Sequence, residues 1–317
     1  MITTFYNMNQ LKKILLFLLF VSSNTHLFAQ QNLVPNHSFE DADSCNNSLY
    51  FQLIDYWFSS TDGTPDLFSS CLDVIYSYSV PINRYGYQPA QDGKAYVGIV
   101  CYSDGYDYRE FIGTQLKETL KTDQLYKIDY YVNLVNFAPF YTNNFGIGFG
   151  KDSCIIPYTY QIHPTISISD SRLISDTANW EKRSLFYKAR GDEKFVFFGN
   201  FEPDLVTTAI RNTNPYDEQV ILIDNLSIVT FDLQVENVFT PNGDDINDRA
   251  FYYPDITDVR CDVFNRWGER IKQVDLSKGW DGTDEHGKAL PEGTYFYQLI
   301  AEEQRLIIAS GFIQLIE

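Results

Sequence analysis

The chain has 317 residues, with 24 Lys plus Arg against 42 Asp plus Glu, five Cys, 24 Phe, 23 Tyr and 4 Trp. A net charge of −18 leaves no surplus of cations to neutralise phosphates, which argues against nucleic acid as a partner. Aromatics at 16% and charges at only 21% are far from the signature of disorder, so the chain can bury real cores, and its length suggests two domains.

Lys12 and Lys13 precede the apolar run Ile14 to Val21, and Ala29 offers a small residue at a cleavage position. This is the order of a secretory signal peptide over residues 1–30. The run is shorter than the ~20 residues that a bilayer span needs. The mature chain is therefore expected to begin near Gln30 or Gln31, to lack a transmembrane segment and to work outside the inner membrane, where disulfides form; the alternative is that the segment is an N-terminal membrane anchor. Cys45, Cys71, Cys101 and Cys154 fall in the first two thirds and Cys261 near the end. The pairing favoured is Cys45 with Cys71, both in turn-rich stretches whose ends a bridge would fix. Sequence alone does not choose among connectivities, and the alternative is that some of these residues are buried thiols.

From Gln31 onward, period-2 alternation and turn clusters dominate, and no amphipathic helical pattern of length emerges, so the expected class is all-β. The clearest strand is Leu125 to Val135, with Tyr126, Ile128, Tyr130, Val132 and Leu134 on a core face and Lys127, Asp129, Tyr131 and Asn133 on a solvent face. Further strands are expected over 96–101, 109–116, 184–189, 195–201 and 220–229, separated by turn clusters such as Gln91-Asp92-Gly93-Lys94. A second block, 232–317, has its own rhythm, with strands over 258–265, 294–301 and 304–315. The last two read as a hairpin turning at Glu302 and Glu303. Both blocks are acidic, and the junction lacks a Pro/Ser/Gly tract, which points to a short connection.

In the second block, Asn237-Val-Phe-Thr-Pro-Asn-Gly-Asp-Asp-Ile-Asn-Asp248 is followed by Val263-Phe-Asn-Arg-Trp-Gly-Glu269, Gly279-Trp-Asp-Gly-Thr283 and Leu290-Pro-Glu-Gly-Thr-Tyr-Phe-Tyr297. This series resembles the gliding-motility-associated C-terminal domain, the type B sorting domain of the type IX secretion system, with Asp244-Asp245 where the family usually reads Asp-Gly. The resemblance implies a small Ig-like β-sandwich over 232–317, recognised by the secretion machinery at the outer membrane, and a protein that is secreted or held on the surface of a Gram-negative bacterium. Trp267 and Trp280 read as packing residues. Asp244, Asp245, Asn247 and Asp248 read either as oxygen ligands for Ca²⁺ or as Asx turns.

The first block opens with Asn32-Leu-Val-Pro-Asn-His-Ser-Phe-Glu40 and closes with Ile221-Leu-Ile-Asp-Asn-Leu-Ser-Ile228. Between them lie Trp57, Gly93-Lys-Ala-Tyr-Val-Gly98 and Asn179-Trp180, which leads into the strand expected over 184–189. This order resembles the galactose-binding-like jelly roll of many carbohydrate-binding modules, over 31–231. The Asn36-His-Ser-Phe-Glu40 start, with His37 in place of the usual Pro, Gly63-Thr-Pro-Asp66 and Gly86-Tyr-Gln-Pro-Ala90 resemble an extracellular module of gliding-type bacteria. The jelly-roll resemblance implies a structural Ca²⁺ between the first and last strands, with Glu40 and Asp224 as the matching side chains and carbonyls near Asp41 and Lys94 as further ligands; the alternative is that Asp224 caps a strand.

A sugar-binding module stacks exposed aromatic faces on pyranose rings and adds a few polar groups that fix orientation. The candidates are Trp57, Tyr85, Tyr87, Tyr102, Tyr106 and Tyr108, near Asp104, Asp107 and Arg109. No nucleophile elbow, metalloprotease helix, phosphate loop or dinucleotide fingerprint is present. The expectation is a non-catalytic surface protein that binds an extracellular glycan or other polymer. The alternatives are a structural or adhesin component that contacts other proteins and, last, a glycoside hydrolase.

Overall fold

The computed structural model describes residues 31–42, 54–72, 77–105, 108–155 and 162–316. The expected signal peptide, Cys45 and Tyr106 lie outside them. The first fourteen strands are Trp57–Ser59 (β1), Asp66–Ser69 (β2), Ile82–Asn83 (β3), Gly86–Tyr87 (β4), Ala95–Ser103 (β5), Ile112–Gln115 (β6), Leu125–Leu134 (β7), Phe140–Thr142 (β8), Phe145–Gly150 (β9), Ile166–Asp170 (β10), Glu181–Lys188 (β11), Phe195–Asn200 (β12), Ala209–Arg211 (β13) and Glu218–Thr230 (β14). Five more follow: Val238–Phe239 (β15), Val259–Phe264 (β16), Arg270–Val274 (β17), Gly293–Ala301 (β18) and Leu306–Leu315 (β19).

Two antiparallel five-stranded sheets, ordered β1-β6-β12-β9-β10 and β11-β7-β14-β5-β2, form the first sandwich. Successive long strands alternate between the sheets, β5 to β6 to β7 and β11 to β12 to β14, which is jelly-roll connectivity. One core joins Ile99, Ile128, Val132, Leu185, Ile221 and Ile223 from one sheet to Ile112, Ile147, Phe149 and Val196 from the other. The opening segment runs beside β14: Leu33 N–H donates to the Ile228 carbonyl, 2.9 Å, and the Asn32 carboxamide bonds Leu226 O and Ile228 N–H. The first and last segments of the sandwich therefore close it together.

Strand β7 carries the expected alternation, and Tyr126, Ile128, Tyr130, Val132 and Leu134 are all buried. Its second face is only partly open to solvent, with Lys127, Asp129 and Tyr131 half-buried. Asn133 is fully buried, with its amide bonded to Asp176 O and Asn179 O, and Asp129 sits between Lys127, Lys182 and Ser184. Phe68, Val220 and Leu222 crowd the same side of Gly98, so this outer face carries apolar groups that loops then cover.

The second sandwich is a sheet ordered β15-β19-β18-β16-β17, with β15 parallel to β19 and the rest antiparallel. The bridges Ala250 to Trp280 and Thr283 to Ala289 lie outside its strands. A separate core gathers Phe239, Phe251, Cys261, Val263, Leu299 and Ile313 around Trp280. Trp280 is buried as expected and its indole N–H donates to Thr283 O, 2.9 Å. Trp267 is 76% exposed and is no core residue. The expected hairpin is formed by β18 and β19, turning through Glu302 to Arg305.

Candidate functional site

The β3–β4 hairpin places Tyr85 and Tyr87. Asn83 Oδ1 accepts from Tyr85 N–H, 2.9 Å, while Asn83 Nδ2 donates to the Tyr96 hydroxyl, 2.8 Å, tying the hairpin to β5. Asn136 Oδ1 accepts from Tyr87 N–H, 2.7 Å, and its Nδ2 donates to Thr177 O, 2.7 Å. Gly86 adopts φ 126, and a Cβ there would collide with the Asn136 side chain. Only glycine permits this approach.

Beside the hairpin lies a groove of about 290 Å³ lined by Arg84, Tyr85, Val135, Phe137, Pro139, Tyr216, Asp217, Glu218 and Val220. Three chain segments build it: the hairpin turn, the connection leaving β7 and the start of β14. Phe137 and Tyr216 are 56% and 68% exposed, and with Tyr85 they give the groove aromatic walls. Arg84 lies over the rings of Tyr85, 5.1 Å, and Tyr78, 5.8 Å, and donates to the Tyr78 hydroxyl, 2.9 Å. This cation–π seat fixes the guanidinium at the groove's edge.

Carboxylates lie behind this wall. Glu110 is buried and accepts from Val100 N–H, Thr64 N–H and the Tyr108 hydroxyl, at 2.8, 2.9 and 2.8 Å. Burial, with the neighbouring Glu110 charge, pushes Asp66 up to about 7, against the pull of Arg84. Burial likewise raises Glu110, and among its neighbours the Glu218 charge adds to the effect. Tyr85 is raised by burial and then by Asp66.

The six aromatic candidates separate. Tyr85 lines the groove, and Tyr87, 60% exposed, stands on the same hairpin. Trp57 is a core residue and not a ligand platform: it is 5% exposed, packs on Phe39 and Phe198 and donates its indole N–H to Asn36 O, 3.0 Å. The backbone amid which it sits accepts that bond, so the indole can be buried without stranding a donor. Tyr102 lies under Arg109, 5.5 Å, and meets Phe140 edge-on, 4.9 Å, while Arg211 lies over the Phe140 ring, 4.4 Å. Tyr108 is tied to Glu110. Phe137 and Tyr216 were absent from the sequence expectation. The Asn212-Thr213-Asn214-Pro215 turn cluster directly before β14 was the available signal for Tyr216.

Glu40 and Asp224 converge on one loop, Gln91 to Ala95. Glu40 Oε1 accepts from Lys94 N–H and Ala95 N–H, 2.6 and 2.8 Å. Asp224 Oδ2 accepts from Gln91 N–H and Asp92 N–H, 2.8 and 3.0 Å, and Oδ1 from Asn225 N–H, 2.7 Å. Burial pushes Asp224 up to about 7 against these amide bonds. The donor set, oxygen throughout, has the chemistry a hard cation takes, and backbone amides already serve most of its oxygens. Among the described residues, no group of three or more His, Cys, Asp or Glu is arranged as a metal-ligand set, and Cys101, Cys154 and Cys261 are free.

An all-β jelly-roll architecture with a lateral groove, followed by a second, smaller β unit with its own core, is thus the class that the geometry defines. Residues 233–315 match the family model of the CHU_C type IX secretion signal domain, so the second sandwich is a secretion signal domain and the protein is secreted or displayed at the cell surface. A comparison with curated proteins gave no match. Among solved structures, the chain is similar to the xylan-binding domain CBM22-1 of Xyn10C from Paenibacillus barcinonensis (13% identity, TM-score 0.36, covering 65% of this chain and 97% of that one). It is also similar to TmCBM61 in complex with β-1,4-galactotriose (11%, 0.31, 63% and 99%). A third is the N-terminal cellulose-binding domain of β-1,4-glucanase C from Cellulomonas fimi (11%, 0.28, 56% and 90%).

Proposed function

We propose that the first sandwich is a non-catalytic binding module that holds an extracellular glycan in the groove between the β3–β4 hairpin and the start of β14, and that the second sandwich delivers it to the type IX machinery. The observation that carries this reading is the meeting of Tyr85, Phe137 and Tyr216 around one groove with Arg84, Asp217 and Glu218 beside them. Aromatic faces supply the area for a sugar ring, and the charged groups supply hydrogen bonds to its hydroxyls. A groove of this volume takes one or two sugar rings rather than a long chain. The test is a glycan screen with the mature chain, repeated with Tyr216→Ala. Binding that falls about tenfold or more in the variant supports the reading; equal binding by both proteins would move the site elsewhere.

The second reading, a surface component that contacts other proteins, is favoured by one observation. Leu205, Val206 and Ile210 are exposed together around β13, the kind of apolar patch that protein contacts use. Two subordinate proposals accompany the first. A structural Ca²⁺ at Glu40 and Asp224 is supported by the convergence of two carboxylates from opposite ends of the sandwich on one loop. A Cys45–Cys71 bridge is supported by the turn-rich setting of both residues and by Cys71 standing outside the set of free thiols.

A further inference from the structure

The strand β11 is the edge of its sheet, and an edge strand leaves main-chain donors and acceptors open to any partner that can pair with them. At Phe186, this edge is met by a single side chain of the second sandwich. Gln304, in the turn between β18 and β19, accepts from Phe186 N–H with Oε1, 2.6 Å, and donates from Nε2 to Phe186 O, 2.6 Å. A carboxamide presents one donor and one acceptor at peptide spacing, so Gln304 acts here as a one-residue substitute for a neighbouring strand. The adjacent residue reinforces it. Glu303 Oε1 accepts from Ser171 N–H, 2.7 Å, and from the Ser171 hydroxyl, 2.5 Å. Arg172, already bonded to Asp170 at 2.7 Å, reaches Asp258 at 3.0 Å.

We infer that the Glu302–Arg305 turn is an intramolecular docking key, through which the secretion signal sandwich grips the edge strand of its own binding module. The chain path favours this arrangement over a mobile tether. Phe231, the last residue before the connection, stacks edge-on against Phe186, 5.0 Å, and its N–H donates to Leu125 O, 2.8 Å. The tether and the key therefore land on the same residue, and the short connection between them raises the effective concentration of the key at its seat. The contact is polar and small, which suits a reversible grip more than a fused core. Its consequence is that the module is presented at a fixed orientation to whatever receives the signal sandwich. The free β11 edge is also covered while the two remain joined.

The experiment is hydrogen exchange of the mature chain with mass-spectrometric readout of the peptide containing Phe186, in wild type, Gln304→Ala and Gln304→Glu. The expected result is exchange at Phe186 about tenfold faster in Gln304→Ala, the loss of roughly one hydrogen bond's protection. Gln304→Glu keeps an acceptor for the N–H but sets a charge against the carbonyl, so it should fall between the other two or match Gln304→Ala. Protection in β18 should stay unchanged in both, which separates undocking from unfolding. Unchanged exchange at Phe186 in Gln304→Ala overturns the inference. So does wild-type protection that appears only at high protein concentration, because it would assign the grip to a second copy of the chain.

Discussion

The half-buried Asp66 behind the groove gives a sharply signed prediction. Asp66 stands at 3.8 when solvated and is pushed up to about 7 in the fold by burial and by Glu110. Each unit is worth about 1.4 kcal/mol, so keeping Asp66 ionised at neutral pH costs the native state about 4 kcal/mol. A carboxyl raised in the fold is most comfortable when protonated. Its penalty is absent below pH 3.8, grows as the unfolded chain ionises first, and reaches its full value above pH 7. Between pH 5 and pH 8, the Asp66 contribution alone should lower stability by about 3 kcal/mol. Asp66→Asn removes it. Urea unfolding of the mature chain, followed by tryptophan fluorescence, should show the variant gaining on wild type by that amount as pH rises from 5 to 8. Asp224, also raised to about 7, remains in both proteins and cancels in the difference. Parallel pH profiles for the two proteins would refute the burial argument. A variant that loses ground with rising pH would reverse its sign and assign Asp66 a net attraction to Arg84.

Removing residues 232–317 should leave the protein in the periplasm, as read by fractionation and surface labelling, because the sandwich that matches the secretion signal domain is gone; normal surface display would remove that role. Trp280→Ala should cost about 3 to 5 kcal/mol, since the ring is fully buried against Phe239, Phe251 and Tyr295, and urea unfolding should show the loss in the second sandwich and not in the first. Calcium should raise the melting temperature of the mature chain above that in chelator, since a ligand that binds only the native state stabilises it. The rise should vanish in Glu40→Gln; a rise that persists there would place the cation elsewhere.

How far the sequence spoke depends on what kind of signal each element carries. Strand β7 was legible because Tyr126 through Leu134 alternate cleanly, and a half-buried strand has no other way to divide its side chains. Strand β9 was not, because Phe145-Gly-Ile-Gly-Phe-Gly150 places glycine at every second position. Its reason is tertiary: a Cβ at Gly148 would sit 2.6 Å from Pro164, and one at Gly146 2.8 Å from the Ile168 carbonyl. The glycines let neighbouring segments lie close on the sheet. Trp57 misled for a related reason. An indole in a turn-rich stretch looks available, until the fold supplies the Asn36 carbonyl that lets it be buried.

The groove shows the same division more strictly. The short motifs that mark the first block, Gly63 to Asp66 and Gly86 to Ala90, are present at the site mostly as framework. Thr64 N–H is bonded to Glu110, Asp66 sets the charge beneath Arg84, and Gly86 makes room for Asn136. The walls come from Phe137 and Tyr216, which belong to no motif and meet only because β7 pairs with β14 and brings Leu134 opposite Ile221. Framework residues answer to the backbone, and their spacing is local enough to be read along the chain. Wall residues are assembled across the sheet, by strand pairing and not by local spacing. On the proposed reading, ligand choice would therefore lie with Tyr85, Phe137, Tyr216 and their neighbours Asp217 and Glu218.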